Sequence, residues 1–223
     1  MLAAAACAAC VAAPAAGAAA SFQSRCESNA AGTAAVVEAV DDGWSVNNSL
    51  SYKALTALKG AGRGHVLGLT RAESHTAIGL RGKLLQDLRG GQECIAPTVL
   101  VKLSYAPIVI YIASEFAPGS CAYEEILAHE MRHLKVYLAH LPKVKATVRA
   151  ALDRRFAGGA ERVKPLYAPA GQARAQLDEE MQRRWMPFIK HAMAQVETLQ
   201  APIDSPQEYA RLSKVCEGDV QFQ

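Results

Sequence analysis

The chain has 223 residues, 24 Lys and Arg against 21 Asp and Glu, and a formal net charge of +3. That length suits one domain with a proper core, or one domain and a tail. The basic residues are scattered and matched locally by acidic ones, with no basic stripe interleaved with aromatics, so no nucleic-acid partner is expected.

Residues Met1 to Ala20 are almost all alanine, carry no charged side chain, and end Ala18-Ala19-Ala20 before Ser21. The small-residue ending predicts a signal peptide over 1–20, a single mature domain over 21–223, and export to the periplasm or medium, although the usual Lys or Arg of the n-region is missing. Alanine is weakly apolar and the run barely reaches across a bilayer, so no stable membrane span is expected after its removal. Four cysteines then remain: Cys26, Cys94, Cys121 and Cys216. An even number in an exported chain predicts two disulfides, and no pair has the C-x-x-C spacing of a zinc knuckle.

Ser21 to about Asn48 is polar and small, and reads as a surface-wrapping segment anchored by Trp44. Tyr52 to Leu58 suits a short helix or strand. His65–Thr70 and Thr76–Leu80 read as short strands, and Lys83–Arg89 as a helical turn or two ended by Gly90-Gly91. Thr98–Ser104 and Ile108–Ala113 are rich in β-branched residues and flank Tyr105-Ala106-Pro107, the pattern of a hairpin. A hairpin would bring Cys94 and Cys121 together, which favours Cys94–Cys121 and leaves Cys26–Cys216. Pro118-Gly119-Ser120 stops the second strand and offers a serine cap to the helix that follows.

From Cys121 to about His140 the pattern is helical, with Ile126, Leu127, Leu134, Leu138 and Leu141 as the apolar stripe and Glu124, Arg132 and Lys135 opposite. Pro142 kinks or ends this helix, and a helical pattern resumes over Lys143–Phe156. On the flank of the stripe, His129-Glu130-Met131-Arg132-His133 spells H-E-x-x-H. Histidines four residues apart lie about one turn apart on one helical face, so both imidazoles can reach a single Zn²⁺, and the glutamate between them can polarise a water on that metal. The competing reading is a solvated polar face. Gln172–Leu199 reads as a second long helix kinked at Pro187, and Ser205-Pro206-Gln207-Glu208 opens a last short helix carrying Cys216. The fold class is α+β: a small antiparallel sheet with a hairpin, packed on the long H-E-x-x-H helix and a second long helix.

A strand pair followed by an H-E-x-x-H helix and a further helix resembles the zincin fold, and the chain looks most like small exported bacterial zincin-like proteins. The specific match covers Tyr123 to His133, and a looser one runs from about Thr98 to Leu199. The resemblance implies a Zn²⁺ cofactor, His129 and His133 as its ligands, Glu130 as general base, and Ile108–Glu115 as the edge strand that pairs with substrate backbone. The metzincin pattern of a glycine and a histidine after the second ligand is absent, since Val136 and Ala139 stand there. His140 would lie about 10 Å up the same helix from His133, so it reads as a helix-surface histidine and not a ligand. Gluzincins take an acidic ligand from a second helix. There Asp178, within about 50° of the apolar stripe, is the first choice and Glu180 the second, with His191 and Glu115 as further candidates. A solvated acidic helix start explains the same carboxylates equally well.

Two functions are therefore expected in competition. One is an exported zinc peptidase acting on a peptide or protein substrate, with Glu130 as base and Tyr137 as a candidate oxyanion donor or core residue. The other is a catalytically inactive zincin-like binding module of the cell envelope. An intact Glu130 favours the first, because an inert zinc site needs no base; the unassigned third ligand favours the second. Arg132 is expected to point to solvent.

Overall fold

The structure, a computed structural model, describes residues 20–30, 32–60, 65–159 and 162–218. The expected signal peptide therefore lies, but for Ala20, outside the described residues. Helix α1 (Phe22–Asn29) is followed by strands β1 (Ala35–Val40) and β2 (Trp44–Asn47) and helix α2 (Tyr52–Lys59). The long strand β3 (Gly68–Arg81) leads to a hairpin of β4 (Leu84–Asp87) and β5 (Gln92–Ile95), and then to β6 (Thr98–Ile112). Helix α3 (Cys121–Phe156) and strand β7 (Leu166–Pro169) come next. The chain continues through α4 (Ala173–Glu180), α5 (Met186–Ala194), α6 (Val196–Gln200) and α7 (Pro206–Leu212). The α+β class is as expected. No helix among the described residues is long and apolar enough to cross a membrane.

The two halves of the expected hairpin are one continuous strand. Strand β6 runs straight through Tyr105-Ala106-Pro107, and β3 pairs with it antiparallel from Gly68↔Ile112 to Arg81↔Thr98. Proline within a strand usually signals a turn because it has no N–H for the ladder. Here the neighbours are interrupted where that donor is missing. On one edge β1 pairs in parallel with Val99–Ser104 and β2 in parallel with Ile108–Tyr111, leaving residues 105–107 between them. On the other edge the β3 register shifts between Ala72 and Ser74. His75 Nε2 lies 2.6 Å from the Ala106 carbonyl oxygen there. The four-stranded sheet is thus mixed, while β4, β5 and β7 form a separate antiparallel sheet.

Other expectations change with it. Lys83–Arg89 contains strand β4, not a helical turn. The segment from Ser21 to Asn48 supplies one helix and two strands instead of wrapping the surface, and Trp44 is 47% exposed, no anchor. The disulfides are Cys26–Cys94 and Cys121–Cys216, not Cys94–Cys121 with Cys26–Cys216. A straight strand of 15 residues spans about 50 Å, so Cys94 before it and Cys121 beyond it stand at opposite ends.

The core lies between the sheet and α3. Val99, Val101, Leu103, Ile108, Ile110 and Ile112 face it from β6; Ile126, Leu134, Leu141, Val144, Val148 and Leu152 face it from the helix. Ser120 caps α3 as expected, accepting from Tyr123 N at 3.2 Å, and the helix passes through Pro142 without ending. The expected second long helix is divided. A π-helical turn, Met181–Trp185, precedes Pro187, with the Met186 amide bonded five residues back to Met181, so the ladder changes register beside the residue that cannot donate.

Candidate metal centre

The flank of α3 that carries the motif is turned inward: His129, Glu130 and His133 are all buried. The third group converging on them is Asp204, in the connection between α6 and α7. Its Oδ1 lies 3.1 Å from His129 Nε2 and 3.2 Å from His133 Nε2. One ligand atom from each of His129, His133 and Asp204 falls within 4.8 Å of the others, a group able to hold a metal ion. Burial opposes ionisation of Asp204, but hydrogen bonds from both histidines outweigh it and hold the carboxyl well below the usual range. Burial likewise disfavours charge on His133, yet Asp204, Glu130 and Gln200 together raise its proton affinity.

The histidines differ in what holds their far nitrogens. Gln200, buried at the end of α6, donates through Nε2 to the His133 carbonyl at 3.2 Å, which turns its own carbonyl oxygen to His133 Nδ1 at 2.7 Å. Nδ1 of His133 is therefore a donor, and its Nε2 faces Asp204. At His129 the nearest group to Nδ1 is Arg132, whose Nη2 stands 2.7 Å away, with Glu208 Oε1 behind it at 3.5 Å. Arg132 and Glu208 are themselves in contact. Arg211 adds two hydrogen bonds to Glu208, at 3.1 and 2.9 Å, and reaches Glu125 of α3 at 3.0 Å. These arginines hold the Glu208 carboxyl down at about 2, the Arg211 hydrogen bond counting most. Tyr209, next on α7, hydrogen-bonds Asp204, and burial keeps its phenol protonated.

Glu130 sits beside the pair. Thr70 of β3 donates to its Oε2 at 2.8 Å, while burial raises the carboxyl above the ordinary range against the pull of His133 and His129. Strand and helix are close enough here to require glycine. A Cβ on Gly68 would stand 2.6 Å from both Glu130 Oε1 and Ile126 Cγ2. Gly68→Ala is therefore expected to cost about 1–3 kcal/mol of stability and to displace the Glu130 carboxylate. Gly79→Ala on the same strand, with its nearest neighbour 3.8 Å away, should change little. Denaturant midpoints for the two variants check this, and equal midpoints would contradict it.

A cavity of about 610 Å³ opens over these residues, lined by His129, Glu130, His133, Asp204 and Tyr209 and by residues 65–70 leading into β3. The edge strand over the motif helix is thus β3, whereas Ile108–Ile112 of the expected edge segment belongs to β6, paired on both sides.

The carboxylates proposed from the second helix are held elsewhere. Asp178 is exposed and pairs with Arg174 at 3.3 Å, and Glu180 takes both Arg155, at 3.0 and 2.8 Å, and Trp185 Nε1. Glu115 accepts from the first amide of α2 at 3.0 Å. His191 is exposed beside Gln195. None of the four joins the histidine pair; Asp204 takes the place expected for Asp178. His140 is buried, not on the surface: its Nδ1 donates to the Tyr105 oxygen at 2.9 Å, and Tyr105 in turn donates to the Met193 carbonyl at 2.7 Å. Tyr137 lines the cavity with its hydroxyl bonded to Gln200, and Arg132 bonds His129 instead of pointing to solvent.

Asp204, Gln200, Glu208 and Tyr209 were not among the expected site residues. The one available signal was Asp204 just before the Ser205-Pro206 helix start, a turn residue at the mouth of a helix. Comparison with protein-family models, curated proteins and solved structures found no match.

Proposed function

We propose that this protein is a zincin-type zinc peptidase working outside the reducing cytoplasm. The metal half of the reading rests on one observation. The Nε2 atoms of His129 and His133 converge on one carboxylate oxygen, Asp204 Oδ1, at 3.1 and 3.2 Å, and that arrangement needs positive charge beside the oxygen, from protons or from a metal ion. Two imidazoles and a carboxylate beside an open cavity fit zinc, which His129, His133 and Asp204 would hold. Bound there, zinc would supply Lewis-acid chemistry, acidifying a water and polarising a carbonyl oxygen.

The residues of the chain do the rest. Glu130, made more basic by burial and fixed by Thr70, takes the proton of the attacking water and passes it to the leaving amine. Tyr209 and Gln200 keep Asp204 and His133 oriented. Among the described residues β3 pairs only with β6, so its other edge offers backbone N–H and C=O groups beside the cavity to an extended peptide. Two disulfides agree with an oxidising compartment.

The test is a mixed peptide library incubated with zinc-loaded protein, with chelator-stripped protein, and with stripped protein given zinc again. Mass spectrometry should find new termini in the first and third mixtures and none in the second. If zinc-loaded protein cuts nothing, the inactive binding module becomes the better reading.

A further inference from the structure

The two histidines are unequally prepared for a metal, and the difference lies in Arg132 and Glu208. His133 has its Nδ1 proton held by Gln200, so its Nε2 is directed at the site. His129 is the reverse. A guanidinium has only donors, so with Arg132 Nη2 at 2.7 Å the Nδ1 of His129 must accept. The ring's proton is then on Nε2, where it donates to Asp204 Oδ1 at 3.1 Å. That chain of bonds is self-consistent, and it occupies the nitrogen that would have to bind a metal.

We infer that Arg132 and Glu208 form a two-position latch on His129: Arg132 on Nδ1 holds the ring away from metal, and Glu208 on Nδ1 commits it to metal. The inference rests on the proposed metal site. For Nε2 to become a ligand, its proton must leave to solvent and Nδ1 must take one up, so the neutral ring changes tautomer with no net change of charge. The new Nδ1–H needs an acceptor, and Glu208 Oε1 is 3.5 Å away, already in contact with the arginine that blocks it. Arg211 holds Glu208 from the other side and anchors it to Glu125, so the carboxylate stays in place when Arg132 withdraws. Arg132 is free to do so because its side chain is 41% exposed, against 11% for Glu208. Outer partners that orient a ligating imidazole typically carry 10–100-fold in metal affinity.

The two residues should therefore act with opposite signs. Competition against a chromophoric chelator should show zinc affinity weakened about 10–100-fold in Glu208→Ala, with part of the loss recovered in Glu208→Gln, whose amide oxygen still accepts. Arg132→Ala should tighten it about twofold to tenfold, the worth of one hydrogen bond. Arg132→Lys should tighten it too: it keeps the charge but lacks the planar fork, which separates the latch from plain repulsion of a cation. Long-range ¹H–¹⁵N spectra of wild type, which need no variant to fold, should show His129 protonated on Nε2 without metal and on Nδ1 with zinc. Weakened affinity in both alanine variants, or His129 already protonated on Nδ1 without metal, would overturn the latch and leave the metal site standing. Wild type that binds no zinc would overturn both.

Discussion

On the proposed reading, Glu130→Gln is expected to keep its zinc and to lose peptide hydrolysis by about 10²–10⁴-fold, the usual worth of a positioned general base. The substitution is nearly isosteric, and the amide oxygen can still accept from Thr70, so the contact between β3 and α3 survives. What disappears is the ability to hold a proton. Burial already disfavours the charged form of Glu130, so stability should be unchanged or slightly higher. The decisive combination is unchanged zinc stoichiometry with activity lost, measured on any peptide that wild type cuts. A variant as active as wild type would remove Glu130 from the mechanism, and one without zinc would make the glutamate part of the metal site.

If Asp204 is a ligand, as proposed, and not a support, Asp204→Ala is expected to weaken zinc binding by more than the ~10–100-fold that an outer partner carries. Asp178→Ala, which breaks only an exposed pair with Arg174, should bind as wild type does. Thermal unfolding gives a second reading. Zinc at about 100 times its Kd adds ~2.7 kcal/mol to a protein that binds it only when folded, and that increment should vanish in Asp204→Ala and persist in Asp178→Ala. The opposite pattern would return the third ligand to the second helix.

What could be read from the residues, and what could not, divides by distance along the chain. His129, Glu130 and His133 lie within five consecutive positions of one helix, so a helical repeat alone puts them on one face. The Ser120 cap is equally local, and both appear as expected. Asp204 is 71 residues from His133, and its arrival depends on how the chain passes through α4, the π turn, α5 and α6. The acidic residues of the expected second helix do not include it. Pro107 failed for another reason. Whether proline ends a strand depends on what its neighbours need from it, and β1, β2 and β3 all relax their pairing opposite it. The wrong cysteine pairing followed from that single turn.

The Cys121–Cys216 bridge joins the first residue of the histidine helix to the stretch just beyond α7, enclosing Asp204, Glu208 and Tyr209. Ribosomes add roughly 5–20 residues per second, so Asp204 follows His133 by roughly 4–14 s, and Cys216 comes later still. During that interval the growing chain carries a complete H-E-x-x-H helix with no carboxylate to finish the site. After it, only the intervening backbone ties the carboxylate segment to the helix until an oxidant closes the bridge. On the proposed reading, the carboxylate segment can reach the histidine helix only once both are made, and the bridge then fastens the two together.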